Sequence, residues 1–413
     1  MPIGPDIAPL LRDQLDHLAT ASEFYAERLG GRARTLADLP HLPLLTKADL
    51  RESQRRRPPL GEHLCVEAEQ LVRIHVTSGT TGEPVAIGFT QADHQANSAI
   101  GGAAFRTAGV RRDHTIAHCL NYSLYAGGIA DHMALEASGA TVVPVGVGQT
   151  HRLLELIPRL GITAIFGTLS FPAHLAQRAQ ALGVDPRSLG MERIVTAGEP
   201  GAGLSALRGE IERVWGAAVT DTFGMSDVWS TMAGGCTESE GLHLTTEGHV
   251  LLEVVDPAGG EALPLEDGVR GELVWTHLRR EASPLLRYRS ADLGQVWTAP
   301  CACGRTSPRI RIDGRTDDML RVQAVNVYPS AVGEILARHP ALGRWAVVAA
   351  GDPIVPPLRV YVEADEPGER PDLAAELAHS LRSAFAVNTV PRGTVPVAEH
   401  KTQIVYRGKD PFA

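Results

Sequence analysis

The chain has no apolar run near the roughly 20 residues needed to span a bilayer, and Met1 opens a polar segment without the apolar core of a secretory leader. A cytoplasmic protein with no membrane partner is expected. Cysteine is scarce, and five thiols in 413 residues do not make a disulfide framework. Long blocks of one charge are missing as well: the net charge is -9, and the one basic run, Arg55-Arg56-Arg57, is followed by two prolines and reads as a solvated turn. Nucleic acid is therefore not an expected partner. There is no internal repeat and no low-complexity tract. One further absence is a single side chain. The stretch VTSGTTGEPVAIGFT (76–90) has the glycines and hydroxyls of a phosphate-binding loop, yet Gly82 is followed by Glu83 and Pro84 where the familiar loop has lysine.

The length suits roughly two or three domains of about 100 to 200 residues. From residue 71 to about 297, short β-branched runs alternate with helical patterns, and 141–145, 162–166, 194–196 and 218–221 read as buried strands. Between the last two, Leu204, Leu207, Ile211 and Trp215 share one helical face. Such alternation implies an α/β fold with a mainly parallel sheet, whose ligands sit at the carboxyl ends of the strands. After residue 248 closely spaced strands near 250–255 and 272–276 indicate a β-rich subdomain reaching about 312. Past Met319 comes a small α+β set: a helix from Ser330, strands near Ala346 and Leu358, and a helix bearing Leu373, Leu377, Leu381 and Phe385. The expected organisation is a large N-terminal domain, 1–316, and a small mobile C-terminal lid, 317–413.

In the loop, Thr77, Ser78, Thr80 and Thr81 offer hydroxyls, while Gly79 and Gly82 let backbone N–H groups converge on an anion. A Gly/Thr hairpin is the plainer alternative. Three later stretches add weight. DTFGMSDV (221–228) follows an expected strand and ends in Asp227, a carboxylate able to hold magnesium near phosphates. RYRSADLG (287–294) places Asp292 in a turn, where it could accept both hydroxyls of a ribose, and GRTDDML (314–320) falls at the domain boundary. Each is weak alone, because aspartate in a turn commonly caps backbone.

Together with LPLLTKADLR (42–51), TAGEP (196–200) and VPVAEHK (395–401), these stretches resemble the adenylate-forming superfamily nearly end to end, and within it phenylacetate-CoA ligase and its relatives. The resemblance implies an AMP-forming carboxylate ligase. A carboxylate attacks the α-phosphate of MgATP, pyrophosphate leaves, and an acceptor nucleophile, usually the CoA thiol, then displaces AMP. It assigns pyrophosphate to Ser78, Gly79, Thr80, Thr81 and Gly82, the adenine to Glu199, Pro200, Asp221, Thr222, Phe223 and Gly224, and the ribose to Asp292. Arg315 also reaches the nucleotide, and Asp317 is the hinge of the small domain. The missing loop lysine is supplied from the far end of the chain. Lys401 aligns with the family's segment better than Lys409, which sits four residues from the terminus where a frayed end positions a charge poorly.

Tyr122, Tyr125, Gly127 and Gly128 align with the segment that encloses the aromatic ring in phenylacetate-CoA ligases, so an aryl acid is the expected substrate, with the glycines leaving it space. His118 and His132 flank this segment, as substrate contacts or as satisfied structural histidines. The resemblance also brings Cys301 and Cys303 toward Cys236 and His243, where some relatives carry a structural zinc. Thiolates and an imidazole suit that ion, although Cys-x-Cys is tighter than the usual spacer. Departures from the family are Glu83 for a loop lysine, Asp227 for glutamate, His400 for glycine and Ala324 for the glycine beside the CoA arm. The last two keep open transfer of the acyl group to an amine, a hydroxyl or a carrier protein; the first two are the support for a non-catalytic nucleotide-binding protein. By analogy with relatives, a homodimer is also expected.

Overall fold

The computed structural model describes residues 7–31, 35–77, 83–124, 126–198, 205–316, 319–322, 325–339, 341–351, 353–396, 404–408 and 410–412. Two compact units emerge: Met1–Gly198 with Ile211–Arg311, and Glu199–Glu210 with Ile312–Ala413.

In the larger unit, α1 (Ala8–Ala21) and α2 (Glu23–Leu29) bury Leu11, Leu15, Leu18 and Tyr25. Their polar anchors lie far along the chain: Gln14 Nε2 donates to the Arg280 carbonyl and Tyr25 Oη to the Pro284 carbonyl. Helix α3 (Lys47–Arg56) begins with a reciprocal capping box between Thr46 and Asp49 and ends in Arg55 and Arg56, so most of the basic run is helix, not turn. The hairpin β1 (Arg73–Val76) and β2 (Ala86–Phe89) is antiparallel, pairing Val76 with Ala86. Helix α4 (Gln91–Thr107) follows, capped by Thr90 and Asp93.

Five short strands then alternate with helices: β3 (Thr115–His118), α5 (Ile129–Ser138), β4 (Thr141–Pro144), α6 (Thr150–Leu160), β5 (Ala164–Gly167), α7 (Phe171–Ala181), β6 (Arg193–Thr196), α8 (Ser205–Trp215) and β7 (Ala218–Met225). Because each helix carries the chain back, these strands pair in parallel, in the order β4-β3-β5-β6-β7. Phe105 of α4 meets Phe166 of β5 edge-on at 4.9 Å in a core shared with Ile116, Ala134, Leu135 and Val195. β4 forms the edge and is partly exposed, where the sequence suggests a buried strand. In α8, Ile211 and Trp215 are buried as expected; Leu204 lies outside the described residues.

The sheet does not stop at β7. It turns antiparallel through β8 (Trp229–Gly235) and β9 (Leu242–Leu244), and β10 (Val250–Val255), β11 (Ala262–Leu263), β12 (Val269–His277), β13 (Tyr288–Trp297) and β14 (Arg309–Arg315) complete twelve strands in the order β11-β10-β12-β13-β14-β9-β8-β7-β6-β5-β3-β4. Two readings change here. The stretch 222–225 is strand, continuing past the expected end at Asp221. Asp292 lies inside β13 rather than in a turn, beside a register shift and the left-handed Ala291 (φ +65°). A bulge re-aims a side chain much as a turn does, and sequence alone does not separate the two.

The smaller unit holds the hairpin β15 (Leu320–Val322) and β16 (Val325–Val327), α9 (Pro329–Leu336), and a five-stranded sheet of β17 (Trp345–Ala349), β18 (Leu358–Glu363), β19 (Gly368–Glu369), β20 (Phe385–Val390) and β21 (Val405–Arg407), with α10 (Pro371–Leu381) against it. Val332, Val347, Val360, Leu373 and Leu377 share its core. Phe385 opens β20 instead of extending α10, because Arg382 turns left-handed (φ +54°) and ends the helix.

Candidate functional site

The parallel strands deliver their carboxyl ends to one edge of the larger unit. β3 has β4 on one side and β5 on the other, so the strand order reverses beside His118, where doubly wound sheets bind ligands.

Three features gather near this edge. The first is the hairpin. Thr77 is buried, its N–H donates to the Val85 carbonyl at 2.9 Å, and its Oγ1 accepts from the Val85 N–H at 3.0 Å. The tip, Ser78, Gly79, Thr80, Thr81 and Gly82, lies outside the described residues. Helix α3 grips the outgoing arm: Gln54 bonds both the N–H and the carbonyl of Ala86, and Arg51 Nε donates to the Glu83 carbonyl at 2.7 Å.

The second is the turn between β7 and β8. His277 bonds the Val228 carbonyl at 3.3 Å, and the Val228 N–H returns to Met225. These bonds hold Asp227 with one oxygen 3.4 Å from Lys47 Nζ and the other buried without a hydrogen-bond partner among the described residues. A buried carboxylate oxygen left bare beside a cation fits a divalent ion, so the donor set suits magnesium. Just upstream, a Cβ at Gly224 would overlap the Ser230 carbonyl, so only glycine lets β7 and β8 approach there. Burial pushes the Asp221 carboxyl up to about 7, against the opposing hydrogen bonds from Thr196 Oγ1 and the Thr222 N–H. Thr222 is buried, its Oγ1 donating to the Thr196 carbonyl at 3.0 Å, and Phe223 is part-buried beside it in β7.

The third is the segment after β3. Tyr122 Oη bonds His132 Nδ1 at 2.8 Å, and His132 Nε2 lies 3.2 Å from Glu136, linking the loop to α5. Gly127 leaves room, since a Cβ there would meet Asp131 only at 3.6 Å. Gly128 does not serve as space for a substrate: a Cβ would strike the Asn121 carbonyl and the Tyr122 backbone, so this glycine closes the loop on itself.

Asp292 is buried, with its N–H directed to Ser290 Oγ. Arg315 ends β14 in the smaller unit. Glu199, Pro200, Tyr125, Asp317, Ala324, His400, Lys401 and Lys409 lie outside the described residues. Lys409 itself lies outside the described residues, but the segments on either side of it are not frayed. β21 pairs with β17, Asp410 bonds Arg359 and Tyr361, and Phe412 packs on Tyr361 and Tyr406. The motif VPVAEHK is what still favours Lys401.

Lys47 is the residue that the sequence reading passes over. The chain has only three lysines, Lys47, Lys401 and Lys409, so nearly all its cations are arginines. That rarity, with the T-x-x-D cap in LPLLTKADLR, was the available signal.

Away from this edge, Cys236, His243, Cys301 and Cys303 place their ligand atoms within 4.8 Å of one another. The Cys236–Cys301 sulfurs are 3.7 Å apart and Cys303 Sγ is 3.4 Å from His243 Nε2. A tetrahedron with metal–sulfur bonds of about 2.3 Å has sulfur–sulfur edges of about 3.8 Å, so the spacing fits zinc despite the tight Cys-x-Cys. Ser307 lies 3.4 Å from the other ring nitrogen of His243.

A nucleotide-handling α/β enzyme is what the fold and this edge describe, and comparison with known proteins makes the class specific. Residues 21–277 match the model of the AMP-binding enzyme family. The phenylacetate-coenzyme A ligase of Thermus thermophilus is 36% identical over 81% of this chain and 74% of its own length; that of Escherichia coli K12 is 34% identical over 90% and 86%. Among solved structures, a 2-hydroxyisobutyryl-CoA ligase in the postadenylation state, in complex with R3-HIB-AMP, superposes with a TM-score of 0.89 at 27% identity, covering 98% of this chain and 90% of that one. The chain belongs to the AMP-binding enzyme family, in its phenylacetate-CoA ligase-like branch of AMP-forming carboxylate ligases. No helix among the described residues is long and apolar enough to cross a membrane.

Proposed function

We propose that the protein activates an aromatic carboxylic acid with MgATP and passes the acyl group to CoA. A carboxylate oxygen of the acid bonds to the α-phosphorus as the bond to pyrophosphate breaks; the CoA thiolate then attacks the acyl carbon and AMP departs with the bonding electrons. The observation that carries the reading is the Lys47–Asp227 pair beside the hairpin. Attack of one anion on another needs neutralisation, and Asp227 would hold the magnesium ion that supplies it, with Lys47 close enough to share the phosphate charge. Thr77 and the loop 78–82 would donate to pyrophosphate, Glu199, Pro200 and the run 221–224 would enclose adenine, and Asp292 and Arg315 would take the ribose side. Lys401 is the proposed partner of the carboxylate and α-phosphate, and Asp317 the hinge. Tyr122, Tyr125 and Gly127 form the proposed acid pocket. Zinc in the Cys236–His243–Cys301–Cys303 cluster would be structural, because four protein ligands leave no open position for chemistry.

The test is AMP and pyrophosphate release across benzoic and arylacetic acids, each with and without CoA, with products identified by mass. An acyl-CoA mass supports the reading. Pyrophosphate release that CoA leaves unchanged moves the acceptor to an amine, a hydroxyl or a carrier protein, and no release with any acid overturns the aryl-acid reading.

A further inference from the structure

At the carboxyl end of β3, beside the strand reversal, one imidazole stands apart from the hydrogen bonds around it. His118, the last residue of β3, is fully buried, and neither ring nitrogen makes a hydrogen bond of good geometry among the described residues, the Gly127 carbonyl and its own carbonyl pulling on the ring less than burial does. A buried polar group left unmet weighs against the fold, and three of its neighbours cannot relieve it. Phe166 lies 5.4 Å away between ring centroids and offers no polar atom. Tyr122 lies 4.7 Å away, but its hydroxyl is engaged by His132. His132 in turn faces Glu136, so the chain Tyr122–His132–Glu136 is complete without His118. Burial above all, with His132 adding to it, lowers the His118 pKa to about 4, so at neutral pH the ring is uncharged, with one donor nitrogen and one acceptor. A neutral imidazole between two aromatic faces is matched to a flat ring carrying a neutral group that can both donate and accept.

We infer that His118 reads a hydrogen-bonding substituent, a hydroxyl or an amino group, on the ring of the acid activated at this edge of the sheet. The inference rests on the aryl-acid reading and narrows its substrate class. A pocket built to pair with such a group rejects the analogue lacking it far more strongly than an apolar pocket resolves a methylene, because the buried partner is then left unmet.

The experiment is acid-dependent ATP–pyrophosphate exchange with ring-matched sets, each comprising hydroxyl, amino, methyl and unsubstituted acids at the ortho, meta and para positions. The wild-type protein is compared with His118→Phe and His118→Gln, and the Tm of each is recorded. The expected result is a kcat/KM preference of at least about 100-fold for one hydroxyl or amino acid over its methyl counterpart. In His118→Phe that ratio falls below about tenfold, and His118→Gln recovers part of it. A hydroxyl-only or amino-only preference both support the inference and name the group. Equal use of the methyl acid by wild type overturns it and leaves the aryl-acid reading standing. An unchanged ratio in His118→Phe overturns it in favour of a buried water as the imidazole's partner, and a parallel loss for all acids overturns it in favour of a packing role. Exchange with no acid at all brings down both readings.

Discussion

Two side chains set the chemistry at the scale of single residues. Lys47 sits at the start of α3 and Asp227 in the turn after β7, 180 positions later, and they meet at 3.4 Å. If Asp227 holds magnesium, Asp227→Asn lowers pyrophosphate release by about 100-fold and raises the magnesium concentration needed for half-activity, while Asp227→Glu keeps measurable turnover. Lys47→Ala raises the apparent KM for ATP, and Lys47→Arg recovers it only in part, since a guanidinium is not a compact point charge. Steady-state assays over a magnesium series check both, and unchanged kinetics in Lys47→Ala would remove it from the site. The motif stretches were legible in the sequence because they are local. The Lys47–Asp227 contact was not, because no rule of spacing connects residues that far apart.

Single elements are held by a few buried polar hubs. Asp93 accepts the Thr90 backbone in the cap of α4, the N–H groups of Glu281 and Ala282 at 2.9 Å each, and lies 3.6 Å from Arg280 Nε. Arg280 is itself buried between Phe89 and Trp229, with its guanidinium carbon 3.9 and 4.5 Å from their ring centres. Asp93→Ala strips four partners and leaves a buried cation without its counter-charge, so a loss of about 3–5 kcal/mol is expected from chemical denaturation. The cysteine cluster is a second hub, joining β9 to the segment before β14. Elemental analysis should find about one zinc per chain, lost in Cys301→Ser, with a lower Tm after chelation. A metal-free chain of full stability would reduce the four residues to packing. Element types were readable where hydrophobic period and length agreed, as in β5 to β7. The β13 bulge and the end of α10 at Arg382 escaped because a left-handed arginine or alanine carries no sequence mark.

For the whole molecule, stability and pH are linked through groups buried in their neutral form. Burial lowers His63, His75 and His118 to about 4. Unfolded, each titrates near about 6.5. Their contribution is complete above that value and is lost as pH falls from about 6.5 to 4, because the unfolded chain binds protons that the folded one refuses. Asp131 works the other way: burial raises it to about 7, so its preference for the folded state grows as pH falls through that range. Asp221 is raised to about 7 in the same way, so for these five groups the expectation is a net uptake of about one proton on unfolding near pH 5, or about 1.4 kcal/mol lost per pH unit. Denaturant titrations between pH 4.5 and 7.5 read this slope, and His118→Phe should reduce it by about one proton. A flat profile would mean that the histidines are hydrated in the native state.

The twelve-stranded continuity has another consequence, one of timing. The first helices have anchors at Arg280 and Pro284, and Leu45 bonds backbone to backbone with Arg287 and Arg289. At a ribosomal rate of about 5–20 residues per second, the wait between synthesis of Gln14 and of its partner 266 residues later is about 10–50 s. Through that interval Leu11, Leu15 and Leu18 have no finished surface to cover them. The nascent amino-terminal segment is thus a natural client for chaperones, and slower elongation through the first 280 codons would lengthen its exposure without changing any contact in the finished protein.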